Sequence, residues 1–155
     1  MKRSEHLEPL SHDHYEGLLV AGRLKKGLGK EASPEVMAAY VAHFWSSHLA
    51  KHFQEEETLL PPLLAEIGTT DLAERMVEEH RAIEHLVQRA GAAADRALTL
   101  AEFARMLKAH IRFEERTLFP TLEAQVAEEE LREVGKKLHA SHQEADLDWD
   151  PAFWE

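Results

Sequence analysis

Apolar residues recur along this chain at intervals of three and four, the spacing of one buried helix face, and no stretch alternates with the period of a half-buried strand. Leu7, Leu10, His14, Leu18, Ala21, Leu24 and Leu28 form the first stripe and predict a helix from near Pro9 to about Leu28. Gly27, Gly29 and the Ser33-Pro34 step mark its end and the next start, because serine suits an N-cap and proline the first turn. The second helix is predicted from Pro34 towards Ile67, with Val41, Trp45, His48, His52, Glu56, Leu59 and Leu63 facing inward; Pro61-Pro62 should kink or shorten its last turns. After a break and cap at Gly68 to Asp71, a third helix carries Met76, Val77, His80, Ile83, Glu84 and Val87, and fades between Gly91 and Asp95. Thr99 and Glu102 fit a capping box for a fourth helix, whose inward face reads Phe103, Leu107, His110, Glu114, Thr117 and Leu118 and which Pro120 should bend or interrupt. Ala127 to Leu138 reads as a short charged helix, and the tail from Asp146 to Glu155 brings Trp149, Phe153 and Trp154 to either the bundle or a partner.

Four long amphipathic helices with short connections predict an all-α fold, an up-down-up-down four-helix bundle with a short C-terminal helix and tail. A length of 155 residues with 44% hydrophobic residues is enough for one core, so a single domain over residues 1–155 is expected, its core about 9–123 and its C-terminal extension 124–155. The absence of cysteine excludes disulfides, thiolate clusters and cysteine nucleophiles. A net charge of −11 argues against nucleic acid, and no apolar run suggests a signal peptide or a membrane span, so a soluble cytoplasmic protein is the default expectation.

What changes this picture is the set of polar residues inside the apolar seams. The phrase H-x-x-x-E-E-x-x-L-x-P occurs twice without a gap, from His52 with Glu56 and Glu57 to Pro62, and from His110 with Glu114 and Glu115 to Pro120. Residues four apart share a helix face, so each copy aims an imidazole and a carboxylate in one direction. Counted along their helices at about 1.5 Å per residue, His14, His52, Glu56, His80 and His110 fall at similar depths, within roughly 10 Å, and with Glu84 and Glu114 they make up one candidate layer of the core. Carboxylates buried together need a compensating charge, and two cations would supply it. Imidazole with carboxylate and no sulfur suits iron, manganese or zinc.

Two six-coordinate ions offer about twelve positions. Four histidines, Glu84, Glu56 and Glu114 as bridges, and a bridging oxo or hydroxo group fill roughly eleven of these, leaving one for dioxygen, peroxide or nitric oxide. Iron is the metal on which that position matters most, because zinc cannot change oxidation state.

The remaining histidines divide by their place on the seams. His14 is preferred to His12 because it lies on the apolar stripe. His48, one turn before His52, either supports the ligands, lines an access pocket or is an ordinary core histidine, and His85 is the reserve for Glu84. His6, His43, His139 and His142 read as surface or tail residues. Glu55, Glu57 and Glu115 read as solvated carboxylates or as groups that hold imidazole N–H from outside.

Asp13-His14, His52-x-x-x-Glu56, Glu79-His80 and His110-x-x-x-Glu114-Glu115, spanning roughly residues 9 to 123, resemble the hemerythrin-like, or HHE cation-binding, proteins. The resemblance implies a four-helix bundle around a non-haem di-iron centre that serves oxygen binding, sensing or the handling of reactive small molecules. It places the first-helix histidine at His14 and the bridging carboxylates at Glu56 and Glu114. Where oxygen carriers of that family have a histidine four residues after the third-helix histidine, this chain has Glu84; their fourth-helix carboxylate would fall on Glu115. Those departures favour a sensing or redox role over simple carriage. A ferritin-like oxidase or peroxidase acting on ferrous iron or peroxide is the alternative.

Overall fold

The structure, a computed structural model, describes residues 2–92 and 94–155. Its helices are α1 (Glu8–Gly29), α2 (residues 34–66), α3 (Thr70–Ala92), α4 (residues 96–125) and α5 (Glu128–Ser141); no strand occurs among the described residues. The chain is all-α, as the periodicity requires. α1 and α3 pack along α4, and α2 packs along α3, which gives the helical bundle. The stretch where α3 is expected to fade includes Ala93, which lies outside the described residues.

Two of the helices are composite. α2 runs as Pro34–Phe44, a π-helical turn at Trp45–Leu49, and Ala50–Glu66; α4 runs as Arg96–Phe113, a π-helical turn at Glu114–Leu118, and Phe119–Gln125. In the π turns the Ala50 N–H bonds to the Trp45 carbonyl and the Phe119 N–H to the Glu114 carbonyl, one residue further back than in an α-helix. Each turn therefore shifts the inward face by one residue. Phe44 and Leu60 are buried while Trp45 and Leu59 are only partly so, and Thr117 is exposed beside buried Leu118 and Phe119.

The prolines do less than expected. α2 continues through Pro61 and Pro62 to Glu66. α4 continues through Pro120, because the π turn just before it has already altered the carbonyl pairing that the missing N–H would join. α2 stops instead at Gly68, whose φ of +74° suits glycine, with the Gly68 N–H bonded to Ala65 and the Thr69 N–H to Leu64. Ser33 caps α2 as expected, its hydroxyl accepting the Val36 N–H. Thr99 does not cap α4: it sits inside the first turn, buried, and its hydroxyl donates to the Asp95 carbonyl.

α1 corrects one inward position. Leu18 is 40% exposed, and the buried course runs through His14, Gly17, Ala21 and Leu24. A Cβ at Gly17 would stand 3.0 Å from Ile111 of α4, so the glycine lets these helices approach closely.

The apolar core is divided in two. One cluster, with Val20, Leu24, Val41, Phe44, Ile83, Phe103 and Leu107, fills one end of the bundle. The other holds Leu10, Leu60, Leu64, Met76, Leu118 and Phe119, and includes Leu131, Val134 and Leu138 of α5. The tail lies on the bundle: Phe153 packs into the first cluster beside Gly27 and Met37, and Arg23 stacks 4.0 Å over Trp154 while donating to the Leu147 carbonyl. No helix among the described residues is long and apolar enough to cross a membrane.

Candidate metal centre

Six side chains from four helices fill a polar layer in the bundle interior: His14 of α1, His52 and Glu56 of α2, His80 of α3, and His110 and Glu114 of α4. None is more than 3% exposed. They fall into two groups, His14, His52, Glu56 and Glu114, and Glu56, His80, His110 and Glu114, each offering ligand atoms within 4.8 Å of one another. Both carboxylates belong to both groups. Glu56 lies 3.3 Å from His52 Nε2 and 3.0 Å from His80 Nε2; Glu114 lies 2.8 Å from His14 Nε2 and 3.0 Å from His110 Nε2.

The opposite face of each ring is held by a carboxylate of a neighbouring helix. Nδ1 of His14 meets Glu115 of α4 at 2.6 Å, that of His52 meets Asp13 of α1 at 2.8 Å, that of His80 meets Glu57 of α2 at 2.7 Å, and that of His110 meets Glu79 of α3 at 2.7 Å. The contacts close a ring around the bundle. A carboxylate that accepts Nδ1–H fixes the tautomer and leaves Nε2 free as a ligand directed inward. Neighbouring residues on a helix point about 100° apart, so Asp13 and Glu79 cannot serve the histidines that follow them and reach the next helix instead.

Electrostatics call for cations. Glu56, Glu114, Asp13, Glu57, Glu79 and Glu115 meet three guanidiniums at the rim, those of Arg3, Arg75 and Arg81. The excess negative charge must be met by protons on the imidazoles or by bound metal. Burial alone would push the His110 imidazolium down, but the Glu114 charge and hydrogen bonds to Glu114 and Glu79 prevail and raise it to about 10. His14, His52 and His80 are likewise raised against burial by their carboxylates. Burial pushes the Glu115 carboxyl up, yet hydrogen bonds from His14 and Ser11 hold it at about 2. Nε2 of His52 and His110 and Oε2 of Glu56 and Glu114 remain buried without hydrogen-bond partners. Four such orphans in one layer fit a pair of cations, each held by two imidazoles and sharing two carboxylates, a donor set suited to iron, manganese or zinc.

The layer gathers six of the seven ligands expected from the sequence and leaves out Glu84. Fully buried Ile83 takes the inward direction beside His80, while Glu84 stands at the edge of α3, lining an open cleft with Trp45, Phe53, Glu57 and Arg81. His85, the reserve, is exposed. Glu57 and Glu115 hold imidazoles from outside, whereas Glu55 accepts from the Ser141 hydroxyl. His48 approaches Asp13 rather than the layer. His6, expected at the surface, is buried and bonded to Glu128 at 2.8 Å. Sequence reasoning assigned no role to Asp13 and Glu79; the signal was the acidic residue directly before His14 and His80.

No curated protein and no solved structure matches this sequence. Residues 25–122 and 71–150 each match the hemerythrin HHE cation binding domain. The first stretch contains every residue of the layer except His14, which precedes both matches and joins the others through the packing of α1 on α4. With more than half of its length matched, and the matched helices supplying the polar layer, the chain belongs to the hemerythrin HHE cation-binding domain family.

Proposed function

We propose that this chain is a non-haem di-iron protein that binds dioxygen or a related small molecule, such as peroxide or nitric oxide, for sensing, storage or scavenging. One observation carries the reading: two imidazole pairs share Glu56 and Glu114. Each ion would receive two nitrogens and one oxygen from each shared carboxylate, and an oxo or hydroxo bridge would add a fifth ligand. Six-coordination then leaves about one free position on each ion. Iron bound there would supply a change of oxidation state and an exchangeable ligand position. The protein's part is to orient and to exclude water. The four Nδ1 contacts fix the rings, Phe53 stacks on His80 at 3.8 Å and Phe119 on His14 at 5.3 Å, and the two apolar clusters enclose the layer.

The displacement of Glu84 bears on the alternative. Carboxylate-rich ligation would favour a ferritin-like oxidase or peroxidase, whereas the layer offers four imidazoles to two carboxylates. That balance supports small-ligand binding. Metal analysis of the purified protein, combined with visible spectra after reduction and exposure to air, tests the reading. Two irons per chain and a persistent absorption band under air are expected. Multiple turnovers of peroxide or ferrous iron would favour the enzyme, and a colourless two-zinc protein would overturn both.

A further inference from the structure

Beside the buried layer, between α1, the π turn of α2 and the end of α5, lies a second convergence of ligand atoms. Asp13 and Glu16 come from α1, one turn apart; His48 comes from the π turn; His142 follows the last residue of α5. Asp13, Glu16 and His48 are each at least nine-tenths buried. Both carboxylates have one oxygen already engaged. Asp13 Oδ2 holds His52 Nδ1, and Glu16 Oε2 accepts the Ala145 N–H at 2.7 Å. Their other oxygens face the imidazoles. Asp13 Oδ1 lies 3.2 Å from His48 Nε2 and 3.3 Å from His142 Nε2, and Glu16 Oε1 lies 3.6 Å from His48 Nε2.

All four atoms are buried and none has a hydrogen-bond partner. A protonated imidazole placed to bond a carboxylate would close to about 2.8 Å, the length of a charge-assisted hydrogen bond. His48 Nε2 instead stands between two oxygens and bonds neither. Atoms that ligate a tetrahedral ion at about 2.1 Å lie about 3.4 Å from each other. The separations of His48 from Asp13 and Glu16 and of His142 from Asp13 cluster around that value, and Asp13, Glu16 and His48 offer ligand atoms that all lie within 4.8 Å of one another, with His142 reaching the group from its Asp13 edge. A cavity of about 30 Å³, bordered by Asp13, His48, Lys51, His52 and His142, opens at this place.

We propose that Asp13 Oδ1, Glu16 Oε1 and His48 Nε2 form a separate mononuclear site for a divalent cation of the zinc class, and that His142 Nε2, 3.3 Å from Asp13, swings in as the fourth ligand when the ion binds. Two imidazoles and two carboxylates give a neutral tetrahedral complex with Zn²⁺, in which all four orphaned atoms are satisfied. The site fastens the segment after α5 to the bundle through His142. It also shares Asp13 with His52, so an ion here sits one carboxylate away from the buried pair. It is independent of which metal occupies that pair.

The test uses the full chain as purified, with its buried centre loaded and spare metal removed, and adds zinc as the probe. One further zinc per chain is expected by calorimetry and by metal analysis after desalting. Substituting Co²⁺ as the added ion should give the intense visible absorption of a tetrahedral complex. In His142→Gln, a partly exposed position, and in Glu16→Gln, which keeps an oxygen for Ala145, the affinity for the added ion should fall at least tenfold while the metal of the buried centre stays unchanged. Absence of an additional zinc in the wild type, or equal uptake by the wild type and both variants, would overturn the proposal. Because the readout is the difference of one added ion, a failure here leaves the reading of the buried centre standing, and the converse also holds.

Discussion

His80 and His110 rest on Glu57 and Glu79, and each of those carboxylates is gripped by an arginine of α3, Arg81 and Arg75, both at 2.9 Å. His52, in the other half of the centre, rests on Asp13, which is buried and faces His48 and His142. The inward chemistry of the halves is the same, two imidazoles on shared carboxylates. Their outward chemistry differs. On the α3 side the negative charge of the outer carboxylates is relieved at the surface by guanidiniums, where water also screens it. At Asp13 the charge is relieved inside the protein by imidazoles, where screening is weak and each unpaired atom costs more. Glu115, which holds His14, is also paired with a guanidinium, Arg3, so the tolerant rim takes in three of the four outer carboxylates and the exacting part of the other half is Asp13.

Removing what the halves share should have the largest effect. On the proposed two-ion reading, Glu114→Ala would take one ligand from each ion, so metal content should fall from two per chain to well below one, and thermal stability should drop by about 10 °C as the linked binding energy is lost. Retention of one tightly held ion would show that Glu114 serves a single half. His110→Ala, by contrast, would on the same reading strip a terminal ligand from one ion only, and elemental analysis should find the His14 and His52 side the better filled.

Changing the rims comes next. Outer carboxylates that orient histidine ligands are worth roughly 10–100-fold in metal affinity. Asp13→Asn should lie near the top of that range, because Asp13 is buried and its Oδ2 holds His52 Nδ1; Glu79→Gln, partly exposed and backed by Arg75, should lie near the bottom. Chelator competition on the two variants reads the difference directly. Equal losses would mean that burial of the outer carboxylate does not matter.

Acidity probes both halves at once in the metal-free chain. His110 has a folded value of about 10 against an ordinary 6.5, so its stabilising contribution is complete below about pH 6.5 and is lost as pH rises through 10. Cations compete with the same protons and bind better over that range. The gap in Tm between loaded and metal-free protein should therefore widen by several degrees from pH 6.5 to 9.5. On the acid side, Glu115 at about 2 contributes stability that is whole above its ordinary 4.5 and fades as pH falls towards 2. A gap independent of pH would mean that the empty layer does not hold protons on its imidazoles.

The sequence made the inner layer legible because a repeated H-x-x-x-E phrase on an apolar seam has few other uses, and helix counting sets its depth. His14, His52, His80 and His110 with Glu56 and Glu114 were all recoverable that way. Glu84 misled because it repeats the same four-residue spacing from His80, yet on α3 it is Ile83, three residues on, that takes the buried direction beside His80. The π turns precede His52 in α2 and follow His110 in α4, so they reset the inward face beside each H-x-x-x-E step rather than within it, and periodicity alone does not announce a π turn. The ring of outer carboxylates was partly hidden for a different reason. Asp13 and Glu79 act on neighbouring helices, so their roles exist only after packing.

The smallest expected effect is also the sharpest check on the difference between the rims. The Arg81 side chain is 61% exposed and pairs with Glu57, which in turn holds His80. An exposed pair of this kind is worth little, so Arg81→Met should weaken binding of one ion by about fivefold at most and leave the metal content at saturation unchanged. Raising the salt concentration should shrink the difference from the wild type, since screening acts on the same pair. Chelator titrations at low and high salt measure both effects. If Arg81→Met instead cost as much as Asp13→Asn, the surface guanidiniums would be setting the charge balance of the centre, and the α3 side would be its exacting half.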